Sequence, residues 1–510
     1  MALRAVDIHG KKYNRSLFVC VILIATFAGM LMGTSLGTAL PTLMTDFHID
    51  LATAQEATTW FLMANGIMIP VSAYLSTKFP TKWLYIAAFA LLLIGQYISY
   101  SAPTTNWHLF LIGRVIQAIA VGITMPLMQV VIVYIFPAEK RGAAMGLGGL
   151  VIGMAPAIGP TLSGWILNSD HSFFGFTLTN SWRSIFLLPM FVIGIDFILS
   201  FFILHDVIPN ENIKLDWRSL VQSTLGFGLF LLGLTNVANS HYGGWFDLPH
   251  VVLPGVVGIL FIITFIWHQL EMNKPFLDVR VFKIKQFSIT TLLTSLSMMA
   301  LMGIEMMIPT YLQEVRGLSP LSSGLTLLPG ALIMGLMSPI SGAIYDRAGA
   351  KRLARVGFMI LTMATLPFLF IGLTTPTDFI TVFYSLRMFG IAMVMMPLTA
   401  SAMSALPQDK AADGTAANNT SRQIASAIIV SLLSSVTQNI ANTQGPAASL
   451  KTANIFEYSR KTLDAMLSGF HVSFAITLLF ALLGLIVASF LHAGKVINQS
   501  DDLLENKEGI

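Results

Sequence analysis

The stretch Gly153-Met-Ala-Pro-Ala-Ile-Gly-Pro-Thr-Leu-Ser-Gly-Trp165 places two prolines and four glycines or serines inside a segment that is otherwise hydrophobic enough to cross a bilayer. In a soluble helix these residues would break the structure. In lipid they are tolerated, because neighbouring helices satisfy the freed backbone groups and small residues let two helix backbones approach closely. The stretch therefore predicts a kinked, tightly packed membrane helix, although a kink with a purely structural role would give the same pattern.

The composition of the whole chain is that of a polytopic, all-α membrane protein. Hydrophobic residues make up 55% of its 510 residues and charged residues 11%, and the mean hydropathy is +0.74, far above that of a soluble domain. The net charge of +4 does not indicate a nucleic-acid partner, because the basic residues lie in short loops between apolar runs, where membrane topology explains them. A single cysteine, Cys20, excludes an intrachain disulfide framework and thiolate metal clusters.

Apolar runs of bilayer-spanning length predict fourteen helices. They begin near Leu17, Thr58, Leu84, Leu109, Gly142, Ile185, Leu220, Val251, Phe287, Leu321, Ala354, Phe379, Ala416 and Phe470. An even count puts both termini on one side, and most of the loop and tail Lys and Arg residues fall on that side, which predicts cytoplasmic termini. The count leaves an external loop at residues 441–468, for which we consider two roles: a cover over the outer gate, or a segment lying on the membrane surface.

An internal repeat divides the chain into two halves. Four landmarks recur at a nearly constant offset: Pro41 as Pro309, Ala73–Lys82 as Gly342–Lys351, Arg114 as Arg387, and Pro137–Lys140 as Pro407–Lys410. The repeat predicts two parallel six-helix bundles, with substrate held between them near the midplane. The predicted boundaries are a first bundle at 1–204, a linker with inserted helices 7 and 8 at 205–274, a second bundle at 275–492, and a cytoplasmic tail at 493–510.

With these features in view, the whole chain resembles the fourteen-helix drug:proton antiporter family of the major facilitator superfamily. The segments that carry the resemblance are Ala39-Leu-Pro41, Arg114 with Gln117, the helix 5 stretch, Trp182–Phe186, Pro275–Arg280, Tyr311–Gln313 through Gly324–Pro329, and Asn418-Asn419 with Arg422-Gln423. The resemblance implies a transporter of the major facilitator fold, and export far more firmly than any particular substrate.

The resemblance assigns a conformational role to the helix 5 stretch. The family's antiporter motif is matched by Gly159, Pro160 and Gly164, with Ser163 in place of a glycine, and we add Gly153 and Pro156 as residues of the same motif. If Gly159 permits close helix approach, Gly159→Leu abolishes transport but leaves membrane insertion largely intact.

The second copy of the loop repeat predicts a cytoplasmic gate. There an acidic residue ends helix 10 and basic residues begin helix 11, so that they can pair with one another and with helix ends across the two halves. The gate residues are Asp346, Arg347, Gly349 and Lys351. The alternative interpretation is that these charged residues only determine the orientation of the chain in the membrane. In the first copy Thr77 and Pro80 replace the acidic residue and the glycine, which makes an equivalent latch there doubtful.

Charged residues inside apolar runs are costly and raise functional hypotheses. The resemblance associates Arg114 with proton transfer and places Gln117 one turn later, whereas a structural role for Arg114 stays open and Arg387 is interpreted as structural. We also predict proton coupling for Glu305, with Asp196 on a peripheral helix as the weaker candidate.

The predicted substrate cavity includes Gln117, Met32, Met298 and Met302. Met32 stands where the resembled family usually carries an aspartate on helix 1, so this chain lacks that proton carrier and counter-charge. Met298 and Met302 share a helical face with Glu305, and methionine adapts to varied apolar ligands. A stripe of methionines is also common in plain packing.

Enzyme motifs are lacking: the sequence has no phosphate-cradling loop, no Gly-x-Ser-x-Gly elbow in a strand-turn-helix context and no His pair at metal spacing. We therefore predict a transporter that is no enzyme, that uses no cofactor, and that is driven by a proton gradient. Its expected partners are a small amphipathic molecule, protons and the lipid bilayer, without nucleic acid, and it acts as a monomer in the plasma membrane. The alternatives are an exporter of an endogenous lipid or envelope precursor, and a membrane sensor or scaffold without transport.

Overall fold

A computed structural model of the chain describes residues 4–49, 51–137, 140–173, 176–211, 215–237, 244–447, 449–450 and 454–491. The predicted tail at 493–510 lies outside the described residues, as do parts of the predicted linker. Nothing in the structure fixes the predicted domain boundaries to the residue, so they stay predictions.

Fourteen long α-helices make up most of the described chain. They are α1 (Arg15–Thr34), α2 (Leu51–Lys78), α3 (Thr81–Ser101), α4 (Trp107–Ile135), α5 (Arg141–Asn168), α6 (Ser184–Ile203), α7 (Trp217–Val237), α8 (Leu253–Glu271), α9 (Lys285–Thr310), α10 (Pro320–Ala348), α11 (Ala350–Thr365), α12 (Thr377–Ser404), α13 (Ala411–Gln444) and α14 (Ile455–Ser489). Short helical turns extend α1, α8, α9 and α11, and a short helix, Leu40–Phe47, follows α1.

Among the described residues, thirteen helices are long and apolar enough to cross a membrane. The exception is α2, which is 28 residues long but carries polar side chains such as Glu56 and Asn65 along its length. Because α2 packs against α4, α7 and α13, its polar groups face other helices as well as the surroundings. Sequence hydropathy therefore underrates α2, whose polar residues are accommodated by contacts with other helices.

The predicted external loop at 441–468 is wrong. Helix α13 continues to Gln444 and α14 begins at Ile455, well before the predicted start near Phe470, where the side chain of Asn454 accepts a hydrogen bond from the backbone N–H of Glu457. Residues 455–468 form the first turns of α14, ahead of its apolar part. Because many of these residues are polar, the apolar pattern of the sequence does not reveal that they are helical. The expectation of a purely helical chain also missed two small antiparallel hairpins, β1 (Arg4–Val6) with β2 (Lys12–Asn14), and β3 (His171–Phe173) with β4 (Phe176–Leu178).

The helices form two bundles, α1–α6 and α9–α14, and the pair α7 and α8 packs beside them. Each bundle contains the same close crossing. A Cβ added at Gly113 of α4 would lie 2.7 Å from the Gly95 carbonyl oxygen of α3, and one added at Gly390 of α12 would lie 2.9 Å from the Gly357 carbonyl oxygen of α11. Glycine is required at these positions because the backbones themselves are in contact.

The two bundles meet along two seams. We call the contact of α5 with α10 the first seam, and the contact of α2, α4 and α7 with α13 the second seam. We call the end of the molecule that holds Asp346 the Asp346 end. These seams position the residues described next.

Candidate gate and substrate path

The first seam is latched at the Asp346 end by a carboxylate from one bundle on the helix terminus of the other. Asp346 of α10 accepts a hydrogen bond at Oδ1 from the backbone N–H of Gly142, at 2.9 Å, and one at Oδ2 from that of Ala143, at 3.1 Å. The first N–H groups of a helix have no partner within the helix, and its N-terminus carries partial positive charge. Asp346 therefore caps α5 across the two halves, and we call this contact the Asp346 cap.

Beyond the cap, the two backbones touch. A Cβ added at Gly342 would overlap the carbonyl oxygen of Gly142, and one added at Gly146 would lie 2.9 Å from the backbone nitrogen of Pro339. Further along, a Cβ added at Gly153 would lie 2.7 Å from the Met334 sulfur. The first seam is thus a direct contact between halves that only glycine permits.

The residues of the predicted helix 5 motif divide between two neighbours. A Cβ added at Gly159 would overlap the Thr34 hydroxyl of α1, within the same half, whereas one at Gly164 would lie 3.7 Å from Leu321 of α10. Pro160 is half-buried in α5, and the side chain of Pro156 lies outside the described part of the chain. Gly159 therefore packs inside the first bundle, and Gly142, Gly146 and Gly153, together with Gly164, face the other half.

The other predicted gate residues shape the turn after α10. Gly349 has φ +76° and ends α10, a backbone conformation in which a glycine avoids strain. Arg347 is exposed and Lys351 is half-buried. At the repeated position in the first bundle, the Thr77 hydroxyl donates to the Ala73 carbonyl oxygen of its own helix at 3.0 Å. The structure thus places an acidic cap in only one of the two copies.

The second seam is polar in its interior. The Asn419 amide of α13 donates to Gln129 Oε1 of α4 at 2.8 Å, which joins the two halves. Arg422, one turn later, is 3% exposed and donates from Nη1 to Asn419 Oδ1 at 3.3 Å. Our sequence analysis noted Asn418, Asn419 and Arg422 only as part of the resemblance and overlooked Gln129. The available signal was that Asn418 and Asn419 precede Arg422 by four and three residues, which places the three side chains on one face of a helix.

The inserted helix α7 covers the second seam. Ser431 of α13 donates to the Leu234 carbonyl oxygen of α7 at 2.5 Å, and a Cβ added at Gly228 of α7 would lie 3.1 Å from Ile67 of α2. Helix α7 therefore touches both halves at once.

Arg114 and Gln117 form a buried network inside the first bundle. Arg114 Nη1 donates to Gln117 Oε1 at 2.9 Å and its Nε to the Ala57 carbonyl oxygen at 3.3 Å. Gln117 in turn donates to the Gly95 carbonyl oxygen at 2.9 Å. The Arg114 guanidinium also lies 4.4 Å from the centre of the Phe61 ring. These contacts tie α2, α3 and α4 together, and both side chains are fully buried in this conformation.

Glu305 and Arg387 are electrostatic neighbours in the second bundle. Arg387 is fully buried, and its guanidinium donates to the Ala300 carbonyl oxygen at 2.6 Å and to the Thr365 hydroxyl at 2.8 Å. Glu305 is half-buried, as are Met298 and Met302. The charge of Arg387, which the sequence analysis interpreted as structural, thus acts on the predicted proton carrier, although the described structure shows no ion pair or hydrogen bond between the two side chains.

The remaining predicted residues are buried away from both seams. Asp196 of α6 is 3% exposed, and its Oδ2 has no hydrogen-bond partner among the described residues. Met32 is 1% exposed and belongs to a buried apolar cluster that also contains Trp107 and Trp182. Met32 therefore packs in the core of the first bundle in this conformation.

An entirely apolar cavity of about 330 Å³ lies between α1, α5 and α6. Leu23, Phe27, Leu150, Met154 and Leu188 are among its lining residues, and no polar side chain lines it. Ile24 and Leu188 at this cavity are also exposed at the outer surface of the molecule. The cavity fits a hydrocarbon group and offers no hydrogen bond to a polar one.

Comparisons with known proteins place the chain among transporters. The family profile described as Major Facilitator Superfamily matches residues 22–430. The chain is 40% identical over 482 residues to the uncharacterized MFS-type transporter YcnB of Bacillus subtilis, covering 94% of this chain and 96% of that protein. It is 33% identical over 486 residues to the lincomycin resistance protein LmrB of Listeria monocytogenes, covering 95% and 98%.

Solved structures share the fold at low sequence identity. The proton:xylose symporter XylE superposes with a TM-score of 0.60 at 14% identity, covering 96% of this chain and 99% of that one. The human organic anion transporter MFSD10 superposes with a TM-score of 0.61 at 14% identity, covering 92% and 98%. The predicted all-α fold of two six-helix bundles with two inserted helices is confirmed.

Proposed function

We propose that this chain, which belongs to the Major Facilitator Superfamily, exports amphipathic or lipophilic compounds across the plasma membrane in exchange for protons. Members of the superfamily are membrane carriers and not enzymes, so the chain is a transporter of small molecules, as the sequence predicted. Relatives named for lincomycin resistance and multidrug resistance support export of foreign compounds.

The observation that carries the proposal is the Asp346 cap. Two backbone N–H groups at the end of a helix donate hydrogen bonds to one carboxylate of the other half and stabilise one conformation by about 0.5–2 kcal/mol, a contact that thermal motion can break and remake. Alternating access by rocking of the two halves requires such a reversible contact. A static scaffold does not need a charged contact between halves that touch through glycine along the same seam.

We assign proton coupling to Glu305, with Arg387 as its electrostatic neighbour. Protonation of the carboxyl group removes its attraction to the arginine, and this change in charge biases the packing of α9 against α12. Arg114 lies in a separate buried network without a carboxylate among its hydrogen-bond partners, and we assign it to support of the first bundle's conformation.

The test of transport is efflux of a lipophilic dye from cells that express the chain. We expect energy-dependent efflux that a protonophore abolishes, whereas a sensor or scaffold gives none. Efflux that persists after the proton gradient has collapsed contradicts proton exchange.

The test of coupling compares Glu305→Gln with Asp196→Asn in proteoliposomes. Glu305→Gln fixes the neutral form, so we expect loss of substrate-driven proton movement while downhill substrate exchange continues. Asp196→Asn has a milder effect because α6 lies at the periphery. Undiminished proton movement in Glu305→Gln, together with its loss in Asp196→Asn, transfers the carrier role to α6.

Export of an endogenous lipid or envelope precursor is the second candidate. The buried Met32 in place of a helix 1 carboxylate favours it. A panel of drugs and lipids tested in proteoliposomes under an imposed pH gradient separates the two classes of substrate.

We further propose that both termini are cytoplasmic; a reporter fused after Ser500 should report the cytoplasm, and an exterior signal contradicts this orientation.

A further inference from the structure

Arg422 is a buried cation without an acidic partner. Its side chain lies in α13 at the second seam and is 3% exposed. None of the ion pairs among the described residues includes it. A charged side chain inside a membrane protein is costly unless it is paired or functional, so its burial requires a reason.

The contacts of the Arg422 guanidinium leave much of its hydrogen-bonding capacity unused. A guanidinium has five N–H donors. Nη1 donates to Asn419 Oδ1 at 3.3 Å, Nη2 makes only a weak contact of 4.0 Å with the Met395 sulfur, and Nε has no partner among the described residues. The join between the halves uses Asn419 and Gln129, so it does not need the charge of Arg422.

Asn418 adds two more unused polar atoms. Its side chain is fully buried, and neither its Oδ1 nor its Nδ2 has a hydrogen-bond partner in the described structure. Asn418 and Arg422 are four residues apart and therefore lie on one face of α13. Together they offer a guanidinium N–H and an amide N–H where the two halves meet.

The surroundings of Arg422 favour an anion. No carboxylate among the described residues acts on its guanidinium. Glu305 is the electrostatic neighbour of Arg387 and not of Arg422, and Glu56 of α2 accepts a hydrogen bond from Trp107. The position on α1 that could have supplied a further carboxylate is Met32. The surroundings of Arg422 are thus better suited to an acid than to a cation.

We propose that Arg422 and Asn418 bind the carboxylate of an anionic amphiphile, which makes lipophilic acids the preferred substrates; this inference rests on the proposed export function. The planar guanidinium fits the two oxygens of a carboxylate. Since Asn419 holds Gln129 of the other half one residue away, the bound acid sits at the contact that changes when the halves rock.

The test measures binding of two matched fluorescent probes to the purified full chain: dansylaminoundecanoic acid and its methyl ester. The probes share their hydrocarbon chain and differ in charge. The wild-type chain is expected to bind the acid at least about tenfold more tightly than the ester. In Arg422→Gln, affinity for the acid falls about tenfold to a hundredfold, while affinity for the ester changes less than about twofold.

Arg387→Gln is the matched control, because it also removes a buried arginine of the second bundle but one tied to Ala300 and Thr365. It should change the binding of acid and ester by the same factor. If Arg422→Gln does not fold, Arg422→Lys and Asn418→Leu replace it, and both should weaken binding of the acid selectively.

Equal affinity of the wild-type chain for acid and ester overturns the proposal, and so does an equal loss of both probes in the Arg422 and Asn418 variants. Selective binding of the acid without movement of either probe in proteoliposomes under a pH gradient rejects export and leaves the binding site standing. Transport of both probes with no preference for the acid rejects the site and leaves export standing.

Discussion

The two seams join the same pair of bundles by opposite means. Along the first seam, glycines let the backbones of α5 and α10 touch, and the Asp346 cap adds a charged contact at one end. Along the second seam, side chains and inserted segments fill the space: α7 packs on α2 and α13, and Phe276, in the segment between α8 and α9, stacks on Tyr74 of α2 at 5.3 Å. The Gln129 to Asn419 hydrogen bond supplies the polar contact in its interior.

The insertion of α7 and α8 accounts for the difference. A helix that packs on both halves must slide against at least one of them when the halves rock, so the second seam is built from side chains that can rearrange. Direct backbone contact, as in the first seam, allows no side chain to adjust. The two halves repeat in sequence, yet they meet through two unlike contacts. The first seam is a contact between backbones, and the second is a contact between side chains.

The largest effect is expected from filling the first seam. In Gly342→Leu the new Cβ overlaps the Gly142 carbonyl oxygen. Because overpacking a tight contact costs about 1–3 kcal/mol or more, we expect transport to fall at least about tenfold while the chain still inserts. The measurement is efflux normalised to the amount of protein in the membrane.

Gly194→Leu is the control for that substitution, because a Cβ at Gly194 of α6 meets no atom within 4 Å. Its transport should stay within about twofold of wild type. Gly159→Leu, predicted from the sequence to abolish transport, should act differently, by loosening α1 from α5 within the first bundle. Wild-type transport by well-inserted Gly342→Leu contradicts the account of the first seam.

A moderate effect is expected from removing the Asp346 cap. Asp346→Ala leaves the N–H groups of Gly142 and Ala143 without their acceptor, at a cost of about 0.5–2 kcal/mol, so we expect transport to fall about twofold to thirtyfold. Asp346→Asn keeps an acceptor oxygen and should retain part of the activity. Transport assays in proteoliposomes provide the measurement.

Thr77→Val tests the same position in the other half. The Thr77 hydroxyl donates only within its own helix, so transport should change less than about twofold. A loss as large as that of Asp346→Ala would mean that both copies of the repeat act as latches, and the contrast between the seams would fail at this end.

The smallest effect concerns Asp278, in the segment between α8 and α9 at the second seam. Lys410, just before α13, donates to Asp278 Oδ2 at 2.7 Å. Burial alone would raise the pKa of Asp278, but the hydrogen bonds from Lys410 and from the backbone N–H of Arg280, with the charges of both residues, lower it below its usual value. A lowered native pKa means that the stabilising contribution is present at neutral pH and is lost as pH falls through that native value.

We therefore expect Asp278→Asn to lower the Tm of the purified protein by about 1–3 °C at neutral pH, and the difference from wild type to shrink as the pH is lowered below the ordinary aspartate value of about 3.9. The control is Glu211→Gln, which removes an exposed ion pair with Lys274. Exposed pairs contribute little, so its Tm should match wild type. A pH-independent difference for Asp278→Asn contradicts a contribution from the ion pair.

Much of the fold follows from the sequence, because apolar length and polar interruptions are local properties. All fourteen helices have their predicted counterparts. The mistaken loop at 441–468 arose because α14 begins with polar turns, at 455–468, before its apolar part. The acidic residue of the loop repeat was recognised as a candidate latch from its position at a helix end. The sequence also showed that the first copy of the repeat has Thr77 in place of this acidic residue.

The partners of the candidate residues could not be read in the same way. Asp346 caps a helix that begins about two hundred residues earlier in the chain, and Asn419 meets Gln129 across the two halves. Arg387 was interpreted as structural, and the sequence did not reveal that its charge acts on Glu305. Which polar groups meet depends on the crossing of helices, and this in turn depends on where glycines allow close approach.

The sequence by itself determined that this chain crosses a membrane many times, that it consists of two repeated halves with an insertion, and that it belongs with transporters, because composition, run length and repeat spacing need no knowledge of contacts. Only the tertiary structure decided that the insertion packs on the second seam, that Gly159 faces α1 while Gly142 faces α10, and that Arg422 is buried without an acid. The physical reason is that burial and pairing are properties of surfaces brought together by packing, which a linear pattern does not specify.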